Sequence, residues 1–599
     1  MAKKKHTLHG WARWLRATMF GSGRYEYGVI TFLAAIIGVI AGYAAIGFYL
    51  AIEAIIIFAF GESEATFATG ITNLPWWQIL LVPIIGGLVV GQILRFLPNN
   101  LTKGVPHVIE AAALKKSHVD LKEGLISAAA TILSLGAGAS SGREGPVVHL
   151  GATLAAFVTD RLHLNPATAR TLLGCAVASA VAASFNAPIA GVFFALEVII
   201  GHYALHTFAP IVIAAIAGTL VSRAHLGDNP AFQVIDYSIV SFWEFPAFFI
   251  LGIVAAIVAI IFMTAINYGD KIRTSFSKIP YWLHPAIAGL ILGMIALVYP
   301  EVLSVGYEAT SKALNGEYTL QVLLALIVAK IFAATVSLAG RFGGGVFSPS
   351  LFIGAVLGGA FGLIVATIFP ELASSHGMYA IVGMGAMASA VLGAPISTML
   401  IVFEITGDYS TTIAVMIASA VASLVSNLFY RRSIFHMQLA NRGIFLEGGR
   451  ATYLLKSAHV SDHMTRDFYT LQTSEKAIKA RELLMLQGGG ILIVTNETGH
   501  MEGILSFSEL PSHVFEGDMA NSVTVGELLR RAPTVVKSSD ILEVALNKLE
   551  MSGEETLPVV SPEGNNTVVG LIKHRMVMRE YNRALLESHG QDKTIGKHG

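Results

Sequence analysis

Apolar stretches long enough to cross a bilayer recur from residue 28 to about residue 430, at 28–60, 76–97, 207–221, 246–268, 283–299, 319–339, 351–369 and 410–429. A chain with this pattern folds in lipid. Several stretches are short or broken by Gly and Pro. In hydrocarbon such breaks mark backbone that lines a cavity, because unpaired amides cannot face lipid. Gly38-x-x-x-Gly42 and Gly87-x-x-x-Gly91 are helix-packing signals, and packing alone accounts for them. Charge agrees with this division: 39 of the 80 charged residues follow residue 430. Before that point the chain holds far less than the roughly 25% of an ordinary soluble protein. The reading is a membrane domain followed by a soluble one. Net charge is zero, so no global field draws nucleic acid. The lone Cys175 excludes an intramolecular disulfide and a cysteine metal cluster, and no metal site is read. The start is basic, from Lys3 to Arg24, and the apolar run begins only near Val29. This predicts a cytoplasmic N-terminus and no cleaved signal.

An internal repeat organises the membrane part. Residues 185–197 read FNAPIAGVFFALE and residues 392–404 read LGAPISTMLIVFE, so that Ala187-Pro188-Ile189 matches Ala394-Pro395-Ile396 and Glu197 matches Glu404 at an offset of 207. Upstream, PVVHLGA at 146–152 pairs with PSLFIGA at 349–355 at an offset of 203. Repeated halves with matched broken segments mark transporter folds, whose substrate site lies where the halves meet.

Beyond residue 457 the pattern turns to short β-branched runs alternating with charged helical ones. Thr470–Glu475, a helix through Leu486 and Ile491–Val494 form one unit; Thr534–Ser539, a helix through Met551 and Leu557–Val560 form another. Each ends in a further strand, at Gly503–Leu505 and Val568–Ile572, and the spacing is about 65 residues. This resembles a tandem pair of cystathionine-β-synthase (CBS) modules. The boundaries read as follows: a cytoplasmic segment over 1–27, membrane halves over 28–224 and 225–440, a linker over 441–456, modules over 457–518 and 519–582, and a disordered tail over 583–599.

Three Gly- and Pro-rich turns each precede an apolar helix: Thr102-Lys103-Gly104-Val105-Pro106, Ser141-Gly142-Arg143-Glu144-Gly145-Pro146, and Gly343-Gly344-Gly345-Val346-Phe347-Ser348-Pro349. Proline suits a first helical turn, whose amide would go unpaired anyway. A helix start offers free amides and a partial positive charge, which favour an anion. Three such starts converging would replace an anion's hydration shell. The plainer alternative is three broken helices that pack tightly.

SGREGP, GGGVFSP and the degenerate KGVP resemble the signature turns of the CLC chloride channel and transporter family, FNAPIAGVFFALE resembles the segment before that family's mid-chain glutamate, and tandem CBS modules follow the membrane part in many members. The resemblance implies an all-α polytopic membrane domain of inverted-repeat type with an α/β CBS pair. It also implies a homodimer with one chloride path per subunit. Glu144 matches the external gating glutamate, whose carboxylate occupies the anion path when ionised and leaves when protonated or displaced. The bland alternative is a carboxylate neutralised by Arg143. The resemblance places anion contacts at Lys103, Gly104, Val105, Gly142, Arg143, Gly145, Gly345, Val346 and Phe347, with amide donors at Val346 and Phe347.

Three positions depart from the family's pattern. Lys103 stands where a serine hydroxyl is common; its ammonium either attracts anions at the inner mouth or snorkels to the interface. Phe435 stands at the tyrosine position and lacks its hydroxyl, which weakens the case for chloride over other anions. Val198 stands at the inner proton-transfer glutamate of the exchangers and carries no proton. This leans towards passive conduction. The alternative is a proton-coupled antiporter with a substitute path through His107, His202 or His206, since imidazole titrates near neutrality. Each of these is otherwise a packed or interfacial histidine.

In the tail, Gly503-Ile504-Leu505-Ser506-Phe507-Ser508-Glu509 matches a nucleotide-binding pattern with Glu for Asp, while the second copy has lost the hydroxyl and carboxylate and carries Lys573. Adenine nucleotide at Ser506, Glu509 and Lys573 stands against a purely structural module; transport itself requires no cofactor. Gly138-Ala139-Ser140-Ser141-Gly142 fits the nucleophile elbow of a hydrolase, but that motif needs a strand–turn–helix and a histidine. A non-enzymatic conduit is the expectation. Compact loops place it in a prokaryotic inner membrane.

Overall fold

The computed structural model describes residues 26–201, 205–228, 232, 238–275, 278–430, 433–446, 453, 455–486, 490–507, 510, 522–563 and 566–589. The chain divides into two compact units, Met1–Arg442 and Gly443–Gly599. In the first unit the helices run α1 (Glu26–Phe60), α2 (Trp76–Leu94), α3 (Val105–Ala113), α4 (Leu121–Gly136), α5 (Glu144–Leu162), α6 (Pro166–Phe185), α7 (Pro188–Phe194) and α8 (Leu205–Leu226). They continue with α9 (Phe245–Ser275), α10 (His284–Ala296), α11 (Tyr307–Leu314), α12 (Leu320–Ala339), α13 (Phe347–Ile368), α14 (His376–Leu392), α15 (Pro395–Thr406), α16 (Tyr409–Tyr430) and α17 (Ile434–Ala440). Eight helices among the described residues are long and apolar enough to cross a membrane.

Helix order repeats. The six helices α3–α8 are matched in sequence by α11–α16, with α5 and α13 starting 203 residues apart and α7 and α15 starting 207 apart. Local chemistry repeats with them. Pro188 and Pro395 open equivalent helices. Asn186 and Gly393 end α6 and α14 with φ of 56° and 66°, a left-handed turn that only glycine and, at some cost, asparagine adopt readily. α6 and α14 are buried almost throughout and form the centre of their halves.

The halves meet through contacts made twice with partners exchanged. A Cβ on Gly87 would strike the Pro285 carbonyl, and a Cβ on Gly289 would strike the Pro83 carbonyl. Gly142 N–H donates to Gly345 O at 2.7 Å, and Gly345 N–H donates to Gly142 O at 2.7 Å. Glu197 accepts from the amides at the start of α15, and Glu404 from those at the start of α7. Reciprocity of this kind is what a pseudo-two-fold axis produces, and these contacts lie along it.

The second unit holds two small sheets. Strands β1 (Thr470–Gln472), β2 (Ile491–Thr495), β3 (Met501–Ser506) and β4 (Arg530–Arg531) form one in that order; β5 (Val536–Lys537), β6 (Thr556–Val560) and β7 (Val568–Lys573) form the other. In both, the first pair is parallel and the second antiparallel, with a register shift at Val494/Thr495 and again at Val559/Val560. The parallel pairs are bridged by α18 (Ala477–Leu486) and α19 (Leu542–Ser552). Ala480, Leu484, Leu492, Val494 and Leu505 bury one core. Ala545, Leu549, Leu557, Val559 and Ile572 bury the other. α20 (His574–His589) corrects one expectation: residues 583–589 are helical rather than disordered, because the helix that opens at His574 carries no breaker before Gly590.

Candidate functional site

The three glycine turns converge. The paired Gly142 and Gly345 amides tie the start of α5 to the start of α13. A Cβ built on Gly145 would lie 3.7 Å from both Gly345 Cα and Val105 Cγ2, which brings in the start of α3. The first main-chain bonds of the three helices are Val147 N–H to Arg143 O, Ser350 N–H to Val346 O and His107 N–H to Gly104 O. The amides of Glu144, Gly145, Phe347, Ser348 and Val105 therefore precede the helical ladders. They are the donors that an anion at the junction would meet.

Three expected contacts are corrected. Gly142 and Gly345 use their amides on each other, so neither has a donor left for an anion. Arg143 turns away: its guanidinium pairs with Glu64 at 2.9 Å and stacks between the rings of Tyr49 and Tyr307, at 4.8 and 4.4 Å. It therefore fixes the turn, and its ion pair is with Glu64 rather than with Glu144.

Glu144 is 1% exposed. Tyr307 Oη donates to its Oε1 at 3.1 Å, and Ser348 Oγ donates to its Oε2 at 2.5 Å. A Cβ on Gly142 would sit 2.9 Å from Ser348 N and 3.0 Å from Glu144 Oε2, so the carboxylate rests against the start of α13. The starts of α7 and α15 are filled in the same manner by Glu404 and Glu197. Ile189 and Ala190 N–H donate to Glu404 at 2.9 and 2.8 Å; Ile396 and Ser397 N–H donate to Glu197 at 3.2 and 2.8 Å. A carboxylate at a helix start is a bound anion in all but name. Glu197→Ala should lower stability by about 1–3 kcal/mol, because it leaves charge-assisted donors unpaired. The midpoint of thermal unfolding in detergent checks this, and Glu404→Ala should match it.

The remaining expected residues are placed as follows. Val346 and Phe347 are buried, and Phe347 packs on Phe185 and Phe194 with ring centroids 5.2 and 5.9 Å away. Phe435 is buried on α17, which packs against α3. Lys103 does not stand alone: its ammonium pairs with Glu123, and its amide donates to Ser127 Oγ at 2.7 Å. The Gly104 amide donates to His107 Nδ1 at 3.2 Å. Val198 lies in a π turn, Ala195–Ile200, against which α3 packs. His202 and Glu509 lie outside the described residues, as does the side chain of His206. Ser506 and Lys573 end the equivalent strands β3 and β7. The motif glycine there has a packing reason, since a Cβ on Gly503 would meet Arg530 O at 2.5 Å and one on Gly570 would meet Thr465 O at 2.7 Å. Ser140, the serine in the nucleophile position, is wholly buried in a turn between two helices rather than after a strand.

Three residues at the site escaped the sequence reading: Tyr307, Ser348 and His149. Tyr307 opens α11 after Gly306, 202 residues beyond the Gly104-Val105 turn, so the repeat itself pointed to it. His149 lies on α5 with its ring 6.1 Å from that of His107.

The profile of the Voltage gated chloride channel family matches residues 85–427, more than half of the chain. The chain belongs to the CLC family. CBS-domain profiles match 460–514 and 525–583 of this CLC protein. It is 30% identical over 418 residues, 68% of its length and 96% of the relative's, to a ClcB-like chloride channel protein of Ralstonia nicotianae. It is 26% identical to chloride channel protein CLC-e of Arabidopsis thaliana, over 92% of its own length and 88% of that protein's. Among solved structures, a slow cyanobacterial Cl−/H+ antiporter matches with a TM-score of 0.61 at 21% identity, over 69% of this chain and 97% of that one. That likeness concerns the fold alone; together with the CBS profiles it agrees with the polytopic helical domain followed by α/β CBS modules expected from the sequence. This CLC protein is a membrane-spanning anion transport protein, and the relatives reported are channels and transporters rather than enzymes.

Proposed function

We propose that the chain conducts chloride passively through the junction of α3, α5 and α13, with Glu144 as the gate. The observation that carries this reading is the Glu144 carboxylate at the start of α13, in contact with Ser348, where a transported anion would take its place. Protonation and competing chloride both act on that one carboxylate, so both favour opening. Val198 supports conduction without obligatory proton exchange, since its side chain holds no proton. Gly145, Val105 and the amides of Val346 and Phe347 border the path. Phe435 closes the inner end without a hydroxyl, and the Lys103–Glu123 pair leaves little net charge at the mouth. The unit is a homodimer with one path per subunit, set in a prokaryotic inner membrane with both termini cytoplasmic. The packing reasons found for Gly503 and Gly570 favour a structural CBS pair over a nucleotide site.

A second reading has its own support. His107 and His149 face each other on α3 and α5, and α3 packs against the turn that carries Val198. A proton route in place of the missing glutamate would have to run past these two rings. Chloride efflux from proteoliposomes in weak buffer, with valinomycin as the potassium shunt, separates the two. Chloride leaving without opposing proton uptake is the expected result. Protons moving uphill in fixed proportion to chloride would overturn passive conduction and make His107 and His149 the next residues to replace.

A further inference from the structure

Behind the gate lies a second polar cluster. A cavity of about 10 Å³ is lined by Glu64, Glu301, Ser304, Tyr307 and Glu308, with Phe67 and Leu303 among its apolar walls. That volume is at the lower limit for one water molecule. Three of its polar oxygens are buried without a protein partner: Glu64 Oε1, Glu301 Oε2 and Ser304 Oγ. Glu64 is 6% exposed and Ser304 1%. The third acid is satisfied, since Glu308 accepts from Ala68 N–H, Thr69 N–H and Lys312. Unsatisfied buried oxygens are costly. A water donates two hydrogen bonds and accepts two, so one water here could donate to Glu64 and to Tyr307 Oη while accepting from the serine hydroxyl and from a protonated Glu301.

The turn that forms the cavity is held deliberately. Ser304 adopts φ of 53°, a left-handed conformation that a serine does not choose by itself. The ammonium of the wholly buried Lys330 donates to Val302 O and Ser304 O at 3.0 and 3.2 Å and clamps the turn from below. Strained residues kept in place by their surroundings cluster at functional sites. Immediately after this turn comes Tyr307, which lines the cavity and donates to Glu144.

We propose that this cavity is a proton station for the gate: it holds water and passes protons to Glu144 through the Tyr307 hydroxyl, by a route separate from the anion path. In the step, Tyr307 Oη gives its proton to Glu144 Oε1 and takes one from the cavity water. The water is restored by a proton from a protonated Glu301, which solvent then reprotonates, while Glu64 stays ionised against Arg143. Tyrosine and water end unchanged, and Glu144 gains one proton. The charged and titratable groups around the route are Arg143 and Glu64, paired at 2.9 Å, Tyr49 against Arg143, Glu53 beside Tyr49, and Glu301, Glu308, Lys312 and Lys330. Tyr307 is thus a positioning and relay residue, and the proposal rests on Glu144 being the gate.

A rapid external pH drop on chloride-loaded proteoliposomes tests it, reading the rate at which flux rises to its own plateau. Tyr307→Phe should slow this rate by about tenfold, short of the roughly 10²-fold that a positioned proton carrier contributes to chemistry. The solvent deuterium effect on the rate should shrink with it. Glu301→Gln and Ser304→Ala should slow the rate too, and adding Tyr307→Phe to either should slow it no further, because residues of one path are not additive. A wild-type rate in Tyr307→Phe overturns the proposal. Should Tyr307→Phe not fold, wild-type rates in both cavity variants overturn it instead. Persistence of the acid response in Glu144→Gln removes the gate itself, and with it the station; loss of that response with unslowed Tyr307→Phe removes the station alone.

Discussion

Chloride flux through Glu144→Gln is expected to be independent of external pH, whereas flux through the native chain is expected to rise as pH falls. The physical reason lies in what the carboxylate touches. Tyr307 and Ser348 donate to it, and it rests on the start of α13, so under the proposed gating its ionised form would compete with the anion to be carried. Acid removes its charge, and with the charge goes the attraction of the helix start. Glutamine imitates the protonated acid at every pH. The same variant should also lose the rise in flux with external chloride that competition for one site produces. Flux is read as chloride release from proteoliposomes across a pH series at fixed chloride, then across a chloride series at fixed pH. A pH response in the variant equal to that of the native chain would place the gate elsewhere.

The second large effect is structural. Gly289→Ala should destabilise the membrane unit by about 3 kcal/mol, the upper end for overpacking a filled interior. A Cβ there runs into the Pro83 carbonyl, and α2 and α10 are backbone against backbone, with no side chain free to give way. Gly87→Ala, which strikes the Pro285 carbonyl, should cost a similar amount. Gly407→Ala is the contrast: nothing lies within 4 Å of its Cβ, and its cost comes only from φ of 64°. The fraction of monodisperse protein after heating in detergent orders the three. Gly289→Ala with native heat resistance would contradict the close crossing.

Much of this architecture was legible because lipid simplifies the physics. Apolar runs give spans, and breaks in them give cavity lining. The matched Ala-Pro-Ile and glutamate positions at 187–197 and 394–404 exposed the repeat directly. The site was legible only where a motif was dense. Glu144 stood out within SGREGP, whereas Tyr307 and Ser348 are an ordinary tyrosine and serine until the fold brings them to one carboxylate. Roles were harder than places. Arg143 and Gly142 sit within the motif, yet the first serves Glu64 and the second serves Gly345, choices made by residues 79 and 203 positions away. Lys103 was weighed as a lone charge, and its pairing with Glu123 depends on how α4 returns beside the turn. Long-range partners of this kind leave no local trace in sequence.

The exchange of carboxylates between halves bears on how the chain is made. The start of α7 is completed by Glu404, more than two hundred residues later in synthesis, while Glu197 waits to complete α15. The first half therefore leaves the ribosome with an open helix end in the bilayer and a carboxylate that has nothing to hold. Neither can be settled until the second half arrives. Each half is therefore completed only by the other, and two separately expressed halves should persist only when made together.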